Sequence, residues 1–151
     1  LFWLMGDLSQ AVEVLPPLAA LAVSLAVALP FARELNLLAR GAEQAVALGV
    51  AVPTLRRLIY AVASLATAVA VTTAGSIGFV GLIVPHLMRL ACGPDLRLLL
   101  PAVVLAGGSL LVLADTLART VVAPIQLPVG VLTALIGVPV FLYLLGRSAK
   151  T

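Results

Sequence analysis

The chain has 151 residues, of which 63% are hydrophobic and 10% charged, with a formal net charge of +3 and a mean hydropathy of +1.24. Soluble domains run at about 45–50% apolar and about 25% charged, so a single small core cannot absorb this much apolar side chain and still leave a polar surface. The composition excludes a soluble domain, and in a membrane chain the basic residues report orientation rather than a nucleic-acid partner.

In chain order, apolar runs of the length that crosses a bilayer fall at about 15–32, 58–74, 77–92, 98–117 and 127–146. They predict an all-α, polytopic membrane protein with five spans in a single transmembrane domain over 1–151. The chain opens on Leu1-Phe2-Trp3-Leu4-Met5, with no basic region and no small-residue cleavage site. It does not read as a signal peptide, and a chain that starts on leucine reads as part of a longer one. Between the first two spans lies the polar stretch 33–57. The loop GPDLR follows at 93–97, APIQLP breaks the chain at 123–128, and RSAKT closes it at 147–151. Five spans place Arg33, Arg40, Arg56, Arg57, Arg89, Arg97, Arg147 and Lys150 on one side and leave Arg119 alone on the other. This asymmetry predicts a cytoplasmic C-terminus. Pro30, Pro85 and Pro139 each predict a kink.

The 33–57 stretch is too apolar for a solvated linker and too charged to span. LARGAEQAVALGV predicts a short helix that stops at Gly49. Leu38, Ala42, Ala45 and Leu48 share one modest apolar face, while Arg40, Glu43 and Gln44 lie away from it. Such a helix either rests on the lipid headgroups or docks into a cytoplasmic partner, and spacing alone does not choose.

The third run holds Gly75, Gly78 and Gly81, which share one side if 75–92 is helical and favour close helix packing, with a Gly-lined path as the minor alternative. Thr133 with Gly137 and the 106–109 stretch offer similar small-residue contacts. Pro85 kinks the third run. His86 and Arg89 stand near its cytoplasmic end, where Arg89 can snorkel and both can bond carbonyls freed by Pro85. One histidine with no acid or thiol at ligand spacing is no metal site, and Cys92, the only cysteine, reads as a small apolar packer. Asp115 and Arg119 are four apart at the outer end of the fourth run. They form either a helix-end ion pair or, through Arg119, a docking point for an acidic partner. No nucleophile–base set, phosphate loop or metal motif is present, so catalytic residues: none, metal ligands: none.

Several stretches together resemble one family. AGSIGFVGLIVPHLMRLACGPD at 74–95, LLP at 99–101, LADTLAR at 113–119 and LPVGVLTALIGVPVFLYLL at 127–145 look like the FecCD-type permease subunits of ABC importers for iron-siderophores, haem and cobalamin. FWLMGDLS at 2–9 and LNLLARGAEQAVALGV at 35–50 match the pattern too, so the resemblance covers nearly the whole chain. It implies the C-terminal half of a ten-span permease in the bacterial inner membrane. Its implied partners are a second permease chain, identical or sister, an external (periplasmic) substrate-binding protein and two ABC ATPase subunits. It implies no cofactor bound by this chain, because ATP and Mg belong to the ATPase.

The resemblance also assigns roles by position. The 36–49 stretch, with Arg40, Gly41, Ala42, Glu43, Gln44, Ala45, Leu48 and Gly49, becomes the helix that couples to the ATPase. Arg119 matches an external arginine that docks the binding protein. This chain departs from the family pattern where Ala42 replaces an acid after the glycine, Leu96 replaces a histidine in GPDHR, and Gln126 replaces a glutamate. Two rivals remain at this stage: an ion-coupled secondary transporter, which would want a carboxylate at mid-span where none occurs, and a non-transporting membrane scaffold.

Overall fold

The structure, a computed structural model, describes residues 6, 8, 13–120 and 128–148. The FWLMGDLS stretch apart from Gly6 and Leu8, Gln126 and the tail after Ser148 lie outside the described residues. Seven α-helices occur among the described residues: α1 (Leu15–Ala28), α2 (Ala32–Ala39), α3 (Ala42–Ala47), α4 (Val52–Ala74), α5 (Val80–Cys92), α6 (Leu96–Thr120) and α7 (Val129–Ser148).

The boundaries follow local chemistry. Proline stands in the first turn of both α1 and α4, where its missing N–H would have no partner anyway and its fixed φ suits a helix start. The first run does not continue to residue 32 as one helix. Helix α1 stops at Ala28, and the chain bends by 69° around Pro30 into α2. Helix α4 starts at Val52, six residues before the expected span, because Pro53 nucleates it. Helices α4 and α6 are each long and apolar enough to cross a bilayer, and α1 with α2 adds a third crossing if that bent pair counts as one. Helix α5 and the 129–142 part of α7 are apolar but shorter than a full crossing.

The third run differs most from its expected form. Residues 75–79 are not helical, so Gly75, Gly78 and Gly81 do not share a helix face. Gly75 ends α4 at φ +73, Gly78 lies in the connecting segment, and only Gly81 is inside α5. A Cβ built on Gly78 or Gly81 meets nothing within 4 Å among the described residues, so neither glycine is held to its size by a close contact there. Phe79 caps α5 with φ +66, a backbone state that bulky L-residues rarely adopt.

Packing divides the helices into two groups. Helix α1 lies against α4, while α5, α6 and α7 pack on one another. Between the groups sits the α2–α3 module, with α2 against α3 and α6, and α3 against α4. The cluster of buried apolar residues is in this module: Ala45, Val50, Val52 and Leu55, flanked by Phe31, Leu35, Leu38 and Ile59. The long helices leave large apolar side chains exposed, among them Leu18, Tyr60, Leu65, Leu105, Val112 and Leu135. Hydroxyls on them turn inward to their own backbone, as Thr67 does to the Ala63 carbonyl at 2.8 Å and Thr116 to the Val112 carbonyl at 2.7 Å. In lipid such groups need an internal acceptor.

Candidate functional site

The α2–α3 module is two helices rather than the one expected. Helix α2 ends at Ala39, and the chain reaches α3 through Arg40 and Gly41, the latter at φ +140. That backbone state is open to glycine and strained for other residues. The break rotates α3 relative to α2, so the predicted shared face does not hold. Leu38 and Ala45 do reach the core, with Ala45 fully buried. Leu48 does not: it is 66% exposed, and Val46 beside it is 59% exposed. Arg40, Glu43 and Gln44 are exposed as expected, and Ala42 is half-buried.

Gly49 ends α3 at φ +85. The Gly49 N–H donates to the Val46 carbonyl at 2.9 Å and the Val50 N–H to the Ala45 carbonyl at 3.0 Å. This pair of bonds is a Schellman ending, and Val50 and Ala45 supply the apolar contact that accompanies it. The result is a short, rigid helix with one side anchored in the core and an edge bearing Val46 and Leu48 outward.

A polar junction ties the module to α6. The Asn36 side-chain amide donates through Nδ2 to Asp95 Oδ1 at 2.7 Å, and its Oδ1 accepts from the Leu96 N–H at 3.0 Å. Asp95 Oδ1 also accepts from the Arg97 N–H at 3.0 Å, which caps the start of α6. The bond from the Arg97 N–H holds the Asp95 carboxyl below its ordinary pKa, aided by the Asn36 amide. The carboxylate therefore keeps its charge to lower pH than a free one, and its contribution is lost as pH falls through the lowered pKa. Sequence reading passed over Asn36, because a partner 59 residues away leaves no local signal; the Asp–Leu–Arg start of α6 was the available hint.

At the far end of α6, Arg119 Nε lies 2.8 Å from Asp115 Oδ2. The expected ion pair is present, so Arg119 is not an isolated cation. An exposed pair of this spacing contributes about 0.3–0.5 kcal/mol. The side chains of His86 and Arg89 are both exposed and, among the described residues, make no hydrogen bond or ion pair, so they do not hold carbonyls freed by Pro85. Cys92 is likewise exposed at the end of α5 rather than packed. No cluster of three or more His, Cys, Asp or Glu able to hold a metal occurs among the described residues.

Small residues do admit close packing, but in α7. Thr133 is 6% exposed and donates to the Gly130 carbonyl at 3.1 Å. A Cβ on Gly137 would overlap Phe79 Cβ and lie 2.8 Å from its Cγ. The side chain of Phe79 thus fills the notch at Gly137. Beside it, a pocket of about 150 Å3 opens between α5, α6 and α7, lined by Ile83, Leu87, Leu110, Ala114 and Thr133. Between α7 and the segment that joins α4 to α5 runs an open groove of about 640 Å3, lined by Ser76, Gly78, Gly130, Ala134, Leu135 and Pro139.

The family model of the FecCD transport family matches residues 1–147. The chain belongs to the FecCD transport family. It is 54% identical over 147 residues to the cobalamin import system permease protein BtuC of Halobacterium salinarum, across 96% of this chain and 39% of that protein. It is 45% identical over 155 residues to the hemin transport system permease protein HmuU of Yersinia pestis, across 98% of this chain and 45% of that protein. A solved structure of a metal-chelate type ABC transporter in an inward-facing conformation superposes with a TM-score of 0.85 at 35% identity, covering 97% of this chain and 49% of the other. The chain therefore spans less than half the length of the relatives it matches. Family membership and the apolar helices together make this FecCD chain an all-helical membrane protein.

Proposed function

We propose that the chain is the C-terminal portion of a permease subunit of an ABC importer, which carries an iron-siderophore, haem or cobalamin-type substrate inward across the cytoplasmic membrane. In this reading it crosses five times, with the C-terminus and the α2–α3 module on the cytoplasmic side. Helix α3 docks into a groove of a partner ATPase, which binds and hydrolyses ATP. The chain itself catalyses nothing; its work is conformational. The substrate passes between this chain and a second permease chain, and the groove along α7 is this chain's share of the path.

The observation that carries the reading is the edge of α3. A helix six residues long gains little stability of its own, yet this one is clamped by a glycine cap and a buried alanine while it exposes Val46 and Leu48. Exposed apolar side chains on a helix fixed to the core fit a protein groove. The relatives named as import permeases make an ATPase the expected owner of that groove.

The test is transport in liposomes carrying the full-length permease that contains this sequence, with its ATPase and binding protein. Labelled cobalamin, haem or ferric siderophore should accumulate only with ATP. Accumulation driven by an ion gradient without ATP would assign an ion-coupled secondary carrier instead.

Arg119 supports the external docking site. Arg119→Glu reverses the charge and sets two carboxylates four residues apart. Affinity for the binding protein should fall about tenfold or more at low salt, with most of the change in association rate. Surface plasmon resonance at two ionic strengths reads this, and unchanged affinity at low salt would remove Arg119 from the docking site.

A further inference from the structure

Among the described residues, and besides its chain link to α1, the α2–α3 module has two attachments to the long helices. One is apolar and continuous with the chain, from Ala45 and Val50 to Val52 and Leu55 at the start of α4. The other is the Asn36–Asp95 junction to α6. These attachments lead to different helix groups, because α4 packs with α1 while α6 packs with α5 and α7. A pull on α3 reaches the α1–α4 group directly. It reaches the α5–α7 group through α2.

We infer that the Asn36–Asp95 pair is a latch that passes movement of the α2–α3 module to the α5–α6–α7 group, so that both residues are positioning residues of the coupling step. The inference rests on the proposed docking of α3 to an ATPase. Both ends of the Asn36 amide are engaged, one on the Asp95 carboxylate and one on the Leu96 N–H. Two divergent bonds to one helix end fix direction as well as distance. Asp95 in turn is fastened to α6 by the Arg97 N–H, and its charge suits the positive end of the helix dipole. Helix α6 is 25 residues long, about 37 Å, and stays helical through Pro101 near its latched end, so a displacement there is passed to the helices packed along it. The junction is polar and exposed, which separates it from the apolar contacts that hold the fold.

Asn36→Asp tests the latch. It removes the side-chain amide that donates to Asp95 and sets a carboxylate against it. In liposomes with the full-length permease, its ATPase and its binding protein, the ATPase should remain bound and active while substrate moved per ATP falls about tenfold. The exchange N36D/D95N should restore part of that loss. The new carboxylate at position 36 then accepts from the Leu96 N–H and, once the side chain at position 95 turns its nitrogen towards it, from the new amide; the turn is needed because a single oxygen, Asp95 Oδ1, accepts from both Asn36 and the Arg97 N–H in the wild type. If N36D does not accumulate, Asn36→Ala must lower transport per ATP in the same way. Wild-type transport per ATP in N36D or N36A, or no rescue in the exchange, would overturn the latch alone. A wild-type permease that binds no ATPase would overturn the functional reading and the latch with it.

Discussion

Gly137→Ala should lower the thermal stability of the permease by about 2 kcal/mol, the ordinary cost of forcing an extra carbon into a filled core. Few alanine substitutions are so constrained. The new methyl would overlap Phe79 Cβ, and Phe79 Cγ and Ile83 Cδ1 close the remaining space at 2.8 and 3.3 Å. A Cβ cannot swing away as the end of a flexible side chain can. It moves only with its backbone, and the Phe79 backbone is already in the left-handed region at φ +66, a state that costs roughly 1–3 kcal/mol. The contact therefore links the break between α4 and α5 to α7, and the strained turn persists because Phe79 has a notch to fill. Phe79→Gly relieves the strain and removes the clash, while it forfeits the ring's packing. The double variant F79G/G137A should accordingly be more stable than the sum of its single losses predicts. Thermal unfolding of the detergent-purified permease measures all four species. Strict additivity, or an alanine at 137 that costs nothing, would mean that Phe79 does not occupy the notch.

Leu48→Glu should uncouple the permease while leaving its fold intact. Leu48 is 66% exposed and lies outside the buried cluster, so its replacement costs little stability in this chain. In the proposed complex it sits in an apolar groove of the ATPase, where a carboxylate must be desolvated without a partner. Loss of one such anchor typically costs about 2 kcal/mol or more of binding. ATPase affinity should fall by more than tenfold and transport should fall with it, while the melting temperature of the isolated permease stays near wild type. Glu43→Lys, on the exposed side of the same helix, should act in the same direction with a smaller effect. Full coupling in L48E would place the ATPase contact elsewhere.

Much of this could be read before the structure, and the gaps have physical causes. Apolar run length located the long helices, because residues facing lipid must all be apolar whatever their neighbours. Gly49 was legible as the stop of α3, since a positive φ after a helix favours glycine. The break at Gly41 was not, because a glycine inside a periodic pattern is tolerated in a helix and Leu38, Ala42, Ala45 and Leu48 kept the period across it. That oversight put Leu48 on one face with Leu38, Ala42 and Ala45, whereas in the broken helix Leu38 and Ala45 reach the core and Leu48 faces outward. The glycines at 75, 78 and 81 misled for a related reason. Spacing of three suggests a helical stripe, yet glycine serves a bent backbone equally well, and here it ends α4 and leads into a strained turn. Gly137 was legible as a close-packing position, but its partner Phe79 was invisible, as was the Asn36–Asp95 junction. Long-range side-chain pairs leave no periodic trace.

The most direct measurement is retention of the ATPase by the purified full-length permease, wild type beside V46E/L48E, which changes only the two exposed apolar side chains of the α3 edge and leaves the buried Ala45 and Gly41 in place. The account predicts a stable complex for the wild type that is lost in the double variant, with both permeases equally folded in detergent. A double variant that holds the ATPase as firmly as the wild type, or a well-folded wild type that holds none, would contradict it.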